Sequence, residues 1–145
     1  LAAEFTKSRP RHSNDNGLAE TKNGAIIRKH LGYAHIPQRF AAELNAWCTE
    51  HLNPYLNFHR PCLFAEDVTD NKGKTRKRYP LDWVSTPFEK LASLPGMATF
   101  LRPGLTLDAL RQTATAMSDN AAAEQMNLAR QKLFVSINQR SRKAA

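Results

Sequence analysis

A carboxylate beside a cluster of positive charge is the part of this sequence best suited to chemistry. Glu20 follows a basic, Pro-containing loop and a polar turn, and its basic neighbours are Lys7, Arg9, Arg11 and Lys22. Divalent ions held by a few carboxylates can align the attacking and leaving oxygens of a phosphodiester. Glu20 can serve as one such ligand while the cations hold phosphates. The alternative is a solvated carboxylate at the positive end of a helix dipole.

Two cysteine–histidine pairs are a second possible site. Cys48 and His51 are three positions apart, as are His59 and Cys62, and thiolate and imidazole ligands suit structural zinc. However, Cys48 and His51 share the apolar face of a predicted helix, and structural zinc motifs usually have a longer central spacing. We therefore expect no bound zinc.

A third candidate is a stretch of alternating basic residues, which are Lys72, Lys74, Arg76 and Arg78. In an extended strand they would point to one side and could follow a phosphate backbone. Tyr79 and Trp83 lie nearby and could stack on bases or sugars. The alternative is an exposed hairpin whose charge only keeps the protein soluble.

The first half of the chain must position these residues with a few short elements. We predict an edge strand at residues 5–8, a helix from about Gly17 to Leu31 capped within residues 13–16, and a second helix from Pro37 that stops at Asn53-Pro54. An apolar face with helical spacing supports the second helix, and it comprises Phe40, Leu44, Trp47, Cys48, His51 and Leu52.

The second half combines a hairpin with three helices. Residues 64–79 contain a turn signal at residues 70–73 and predict a β-hairpin or an extended basic arm. A capping box at Thr86 and Glu89 predicts a short helix to about Ser93. Thr106 caps the next helix, with Leu107, Leu110, Ala114 and Met117 on one face. The last begins near Ser118 or Asp119 and carries Met126, Ala129, Leu133 and Ile137 on one stripe.

Composition narrows the class of protein. The 145 residues include 21 Lys and Arg against 13 Asp and Glu, giving a net charge of +8 and favouring a polyanionic partner such as nucleic acid or an anionic membrane surface. No apolar run is long enough to cross a bilayer or to form a signal peptide, so we expect a cytosolic protein. The two cysteines are too few for a disulfide framework.

The order of motifs resembles the catalytic core of Asp-Asp-Glu (DDE) insertion-sequence transposases, the bacterial relatives of retroviral integrases. Residues 4–8, a Pro loop, an Asn-Asp-Asn turn and Glu20 follow the order of the last strand, loop and acidic helix of that core. Asn23 matches an Asn often found three residues after the acid. The motif Asn57-x-x-Arg60-Pro61, followed by Leu63, is similar to one that these transposases place after the acidic helix.

The resemblance implies that Glu20 is the third metal-binding acid and holds Mg²⁺ or Mn²⁺ in the complete enzyme. The other two acids are aspartates on upstream strands, whereas here Asp15 is the only preceding aspartate and is better explained as a helix cap. Gly24 and Ile27 replace lysines of the retroviral relatives, so Lys22, Arg28 and Lys29 are the expected substitutes for DNA contact. We therefore expect a fragment that binds no metal and catalyses nothing alone.

The resulting expectation is an α/β, mainly α fragment. Residues 1–63 would form the C-terminal part of a ribonuclease-H-like integrase core, and residues 64–145 a basic hairpin and a helical extension. Its function would be DNA cleavage and strand transfer as part of a nucleoid-associated transposase, with element ends, target DNA and further copies of the chain as partners. The alternative is a non-catalytic basic DNA-binding or assembly module.

Overall fold

The computed structural model describes Arg9, Thr21 and residues 23–142, which are mainly helical with two small antiparallel sheets. The chain divides into two compact units, and the second begins at Ala42. The expectation of a mainly helical fold is therefore confirmed. The ribonuclease-H-like core stays a prediction, as does the functional division after Leu63.

The described part of the smaller unit ends its first helix where the sequence predicts. A π-helical segment, Asn23–Arg28, continues into helix α1 (Lys29–Leu31), and Gly32 follows with a φ of 77°. The Gly32 N–H donates to the Arg28 carbonyl at 2.9 Å, and a residue without Cβ adopts this left-handed conformation at little cost. A π-turn contains more residues than an α-turn, so side chains are spaced differently here than in the predicted α-helix, and Ile27 is exposed.

A long helical stretch opens the larger unit and corrects the predicted stop at Asn53-Pro54. It comprises α2 (Ala41–Trp47) and the π-helical segments Cys48–Leu52 and Tyr55–His59. Asn53 donates its N–H to the Cys48 carbonyl, and Pro54 has helical dihedrals at the N-cap of the next segment. A proline is tolerated there because the first N–H groups of a helical segment lack partners in any case.

Helix α5 (Asp119–Arg142) packs on this stretch to form the core. The Trp47 indole N–H donates to the Met126 carbonyl at 3.4 Å, and the Phe58 and Phe88 rings are 5.4 Å apart. The buried apolar residues of the larger unit are Trp47, Leu52, Phe88, Ala122, Met126 and Ile137. The stripe predicted for the last helix therefore does face the core at Met126 and Ile137.

Four short strands form the two sheets. Strand β1 (Cys62–Leu63) pairs with β4 (Val84–Ser85), and β2 (Glu66–Thr69) pairs with β3 (Thr75–Arg78). The β2–β3 hairpin is thus inserted between the strands of the β1–β4 pair, across the predicted boundary after Leu63. Its turn is as predicted: an Asp70 carboxylate oxygen accepts the N–H groups of Lys72 and Lys74, and Gly73 has a φ of 76°.

Two capped helices lie between the hairpin and α5 along the chain. Helix α3 (Pro87–Ala92) begins with the predicted capping box, and α4 (Leu107–Thr115) begins at the predicted cap, where the Thr106 hydroxyl accepts the Ala109 N–H at 3.2 Å. Single 3₁₀ turns lie at Gln38–Phe40, Leu81–Trp83 and Met97–Phe100. Met117 lies beyond α4 and is exposed, so it does not complete the stripe predicted for that helix.

Candidate nucleic-acid interface

The hairpin, which we call the basic arm (residues 66–78), presents its charges to solvent. Its register sets Glu66 opposite Arg78 and Val68 opposite Arg76. The Arg78 Nε lies 3.6 Å from a Glu66 carboxylate oxygen, which makes one ion pair within the arm. Arg76 has an apolar residue opposite and is exposed, so its charge is available to an external anion.

The arm does not place the four predicted basic residues in one row. Arg76 and Arg78 share a face of β3, whereas Lys72 and Lys74 belong to the turn. All four are exposed. Within the described part of the chain, no carboxylate pairs with Lys72, Lys74 or Arg76. The Asp70 carboxylate stabilises the turn through backbone N–H groups, and the ammonium groups remain solvated.

Lys77 is a further basic residue of the arm that the alternating pattern left out. It lies on β3 opposite Asp67 and is exposed. The sequence signal for Lys77 was its place between Arg76 and Arg78, because successive residues of a strand point to opposite faces of the sheet. The arm can therefore contact phosphates from either face.

A lysine between two aromatic rings braces the base of the arm. The Lys90 ammonium lies 5.8 Å from the centroid of the Phe64 ring and 5.2 Å from that of Trp83. Phe64 precedes the arm, Trp83 follows it, and Lys90 belongs to α3. Both distances are within the range of a cation–π attraction. The contact joins residues from separate segments, so sequence spacing gave no signal for it.

The candidate metal ligand lies outside the described residues. This holds for Glu20 and for Lys7, Arg11 and Lys22, and also for the predicted strand at residues 5–8 and the capping turn at residues 13–16. Of the remaining predicted contacts in the smaller unit, Arg9, Arg28 and Lys29 are exposed. The Arg28 guanidinium lies 5.5 Å from the centroid of the Tyr33 ring.

The motif at residues 57–63 spans the end of the long helical stretch and the start of strand β1. His59 is 4% exposed, and its Nδ1 lies 3.1 Å from a carboxylate oxygen of Asp119 at the start of α5. The Arg60 N–H donates to the Tyr55 carbonyl at 2.9 Å, which ends the helical stretch. The geometry of these residues serves packing, since it ties the end of one helical stretch to the beginning of another.

The two cysteine–histidine pairs do not converge on one point. Among the residues that the structure describes, no group of three or more His, Cys, Asp or Glu side chains is placed to hold a metal ion. His59 is engaged with Asp119, and the Cys62 thiol donates to the Arg60 carbonyl at 3.6 Å. Partial burial raises the pKa of the Cys48 thiol, which disfavours the thiolate that zinc requires.

Near the C-terminal end of α5, Arg140 is paired with a carboxylate of the protein. Arg140 donates to both carboxylate oxygens of Glu43, from Nη1 to Oε1 at 2.8 Å and from Nη2 to Oε2. This hydrogen-bonded pair lowers the pKa of Glu43 and raises that of Arg140. Arg140 therefore fixes α5 to α2 and is a poor candidate for binding an external phosphate.

The described helices include none that combines the length and the apolar character needed to span a membrane. A scan against models of protein families found no match, and searches of curated proteins and of solved structures found none either.

Proposed function

We propose that this chain is the C-terminal part of a DDE transposase and that the basic arm holds DNA through its phosphates. The observation that carries the proposal is the arm itself. It is an exposed hairpin with five basic residues, Lys72, Lys74, Arg76, Lys77 and Arg78, and the first three have no ion-pair partner among the described residues.

Charge and geometry both support a phosphate-binding role for the arm. Cations that the fold leaves unpaired lose little free energy when they exchange water and counterions for phosphates. The released counterions drive binding. The β1–β4 pair and the Lys90 contact fix the two ends of the arm to the helical unit. A braced arm loses less conformational entropy on binding than a free segment does.

Catalysis is the part of the proposal that rests on the resemblance. Glu20 would hold Mg²⁺ or Mn²⁺ together with two aspartates that the resemblance places N-terminal to it. Two ions held by three carboxylates stabilise both the attacking and the leaving oxygens of a phosphodiester. Glu20 cannot hold such a pair of ions alone, so the chemistry requires the complete enzyme.

A second candidate function is a non-catalytic DNA-binding or assembly module. The arm supports it equally well, because phosphate binding by Lys and Arg needs no carboxylate or metal. The two functions differ at Glu20: the transposase requires this carboxylate for cleavage, whereas the binding module does not. The genomic sequence upstream of this chain offers a further test, since a transposase must encode the two aspartates.

The test of the arm is the salt dependence of binding to duplex DNA. Replacing Lys74 and Arg76 by Ala removes two exposed charges from the arm, and replacing Lys132 and Arg142 by Ala removes the same pair of residue types from α5. If each arm cation neutralises one phosphate, the slope of log K against log salt concentration falls by roughly 1.8 in the arm variant. We expect the control variant to change this slope much less. Equal slopes for the two variants would contradict the role of the arm in binding DNA phosphates.

A further inference from the structure

We propose that a groove beside Trp83 binds one unpaired nucleobase of the DNA that the basic arm holds. The choice of nucleic acid as the ligand rests on the function proposed above. The groove itself is a separate feature of the larger unit, formed where the polypeptide leaves β3 and enters α3.

The groove has the size and the lining for a single flat ring. Its volume is about 290 Å³, and its walls include Trp83 and Lys90 together with the polar residues Asp82, Ser85, Glu89 and Ser93. This volume is near the lower end of the range for small-molecule sites. One aromatic wall with several hydrogen-bonding groups suits a base, which has a flat face and polar edges.

Trp83 supplies the stacking surface. The residue is 44% exposed although it packs near the helical unit. The Lys90 ammonium lies over its ring, 5.2 Å from the centroid, and this cation–π attraction favours one orientation of the indole. A pre-oriented ring loses little entropy when a base stacks on it, and stacking accepts any base because every base has a π face.

The carboxylates of the groove favour a base with an amino group. Glu89 accepts the Thr86 N–H with Oε2 at 2.7 Å, which leaves Oε1 for a ligand, and Asp82 is exposed. Such acceptors match the exocyclic amino groups of cytosine and adenine. In a duplex one N–H of each amino group stays open to the major groove, but the base faces are stacked and cannot reach Trp83. The groove therefore favours a base at a frayed end or in a single-stranded extension, while its negative charge keeps the phosphates towards the arm.

The experiment compares two DNA duplexes that differ in bases but not in phosphates. One has a single-stranded extension of cytosine nucleotides, and the other has an extension of the same length made of abasic nucleotides. We expect the wild-type chain to bind the cytosine extension about tenfold more tightly, within the range for stacking of one base. We also expect the cytosine extension to quench the fluorescence of Trp83.

Variants assign the effect to the groove. Trp83→Leu should abolish both the tenfold difference and the quenching while binding to a blunt duplex persists, and Trp83→Phe should keep part of the difference because it keeps a ring. Phe100→Leu is the matched control, since Phe100 is 43% exposed and lies outside the groove. This variant should retain the full difference.

The outcomes separate this inference from the proposed function. Equal affinity for the two extensions, with blunt-duplex binding intact, overturns the groove and leaves the arm in place. Loss of the difference in Phe100→Leu as large as that in Trp83→Leu also overturns it. Absence of salt-dependent duplex binding overturns the proposed function, whereas quenching by a cytosine oligonucleotide still measures the groove by itself.

Discussion

Some charged side chains of the described residues form ion pairs within the fold, whereas others have no ion-pair partner among those residues. Arg78 pairs with Glu66, and Arg140 with Glu43. Asp70 accepts the backbone N–H groups of Lys72 and Lys74, and no carboxylate of the described residues lies within ion-pair distance of their ammonium groups. The charges of these two lysines are therefore exposed to any anion that approaches the arm.

The Glu43–Arg140 pair makes the free energy of unfolding depend on pH. Because Arg140 lowers the pKa of Glu43, the pair stabilises the fold above the unfolded-state pKa of about 4.3, and this contribution is lost as the pH falls through the lower folded-state value. Glu43→Gln should thus lower the urea midpoint at neutral pH and have no effect at a pH well below 4. Glu124→Gln, an exposed change on α5, is the control and should have little effect at either pH. A deficit that persisted in acid would argue against the ion pair.

We predict that Glu20 is required for activity but not for folding. In the 145-residue chain Glu20→Gln should change the free energy of unfolding by no more than about 0.5 kcal/mol, as is usual for surface substitutions. In the proposed complete transposase it should abolish strand cleavage and joining but spare DNA binding, because it would remove a metal ligand and leave the phosphate contacts. Measurement of cleavage at an element end with Mg²⁺ checks this. A Gln variant that cleaves at near the parent rate would favour the non-catalytic module.

At the level of the elements, the position of the arm depends on packing at its base. Strands β1 and β4 bring the two ends of the insertion together, and Lys90 contacts aromatic rings on both sides of it. Phe58, near the end of the long helical stretch, packs on Phe88 of α3. The arm is consequently anchored to the core through α3.

The capping box of α3 is therefore expected to matter for stability. The Thr86 hydroxyl accepts the Glu89 N–H at 3.2 Å, and the Thr86 N–H donates to the Glu89 carboxylate at 2.7 Å. Thr86→Ala removes the first of these bonds at a buried residue and should cost about 1 kcal/mol in the free energy of unfolding. The control is Thr113→Ala in α4, where the hydroxyl only donates back to the Ala109 carbonyl. Urea unfolding of both variants checks this, and equal losses would contradict a special role for the cap.

For the molecule as a whole, the net charge of +8 predicts a binding mode dominated by phosphates. Exposed cations occur in both compact units, at Arg28 and Lys29 in one and in the arm of the other. Phosphate contacts position a protein on DNA without reading its sequence. Unrelated duplex DNA should thus compete with a labelled duplex at nearly equal concentration at low salt. A competitor of one particular sequence that is far more effective would reveal base readout by the protein.

Features set by neighbours along the chain were predictable. The caps at Thr86 and Thr106, the turn at residues 70–73 and the helix end before Gly32 each depend on hydrogen bonds or dihedral angles within a few residues. The mainly helical fold followed from apolar spacing of the same range. The resemblance that suggests DNA transposition was also carried by the sequence alone, through Glu20 and the motif that ends at Leu63.

Only the tertiary structure decided which distant residues meet. His59 lies beside Asp119, 60 positions later in the chain, and Trp47 donates to the carbonyl of Met126, 79 positions later. Pro54 remains within a helical stretch because it occupies an N-cap, although its local signal is a stop. The groove at Trp83 likewise depends on Lys90 of another element. Burial of apolar surface stabilises such contacts and is not directional, so the spacing of residues along the chain cannot specify them.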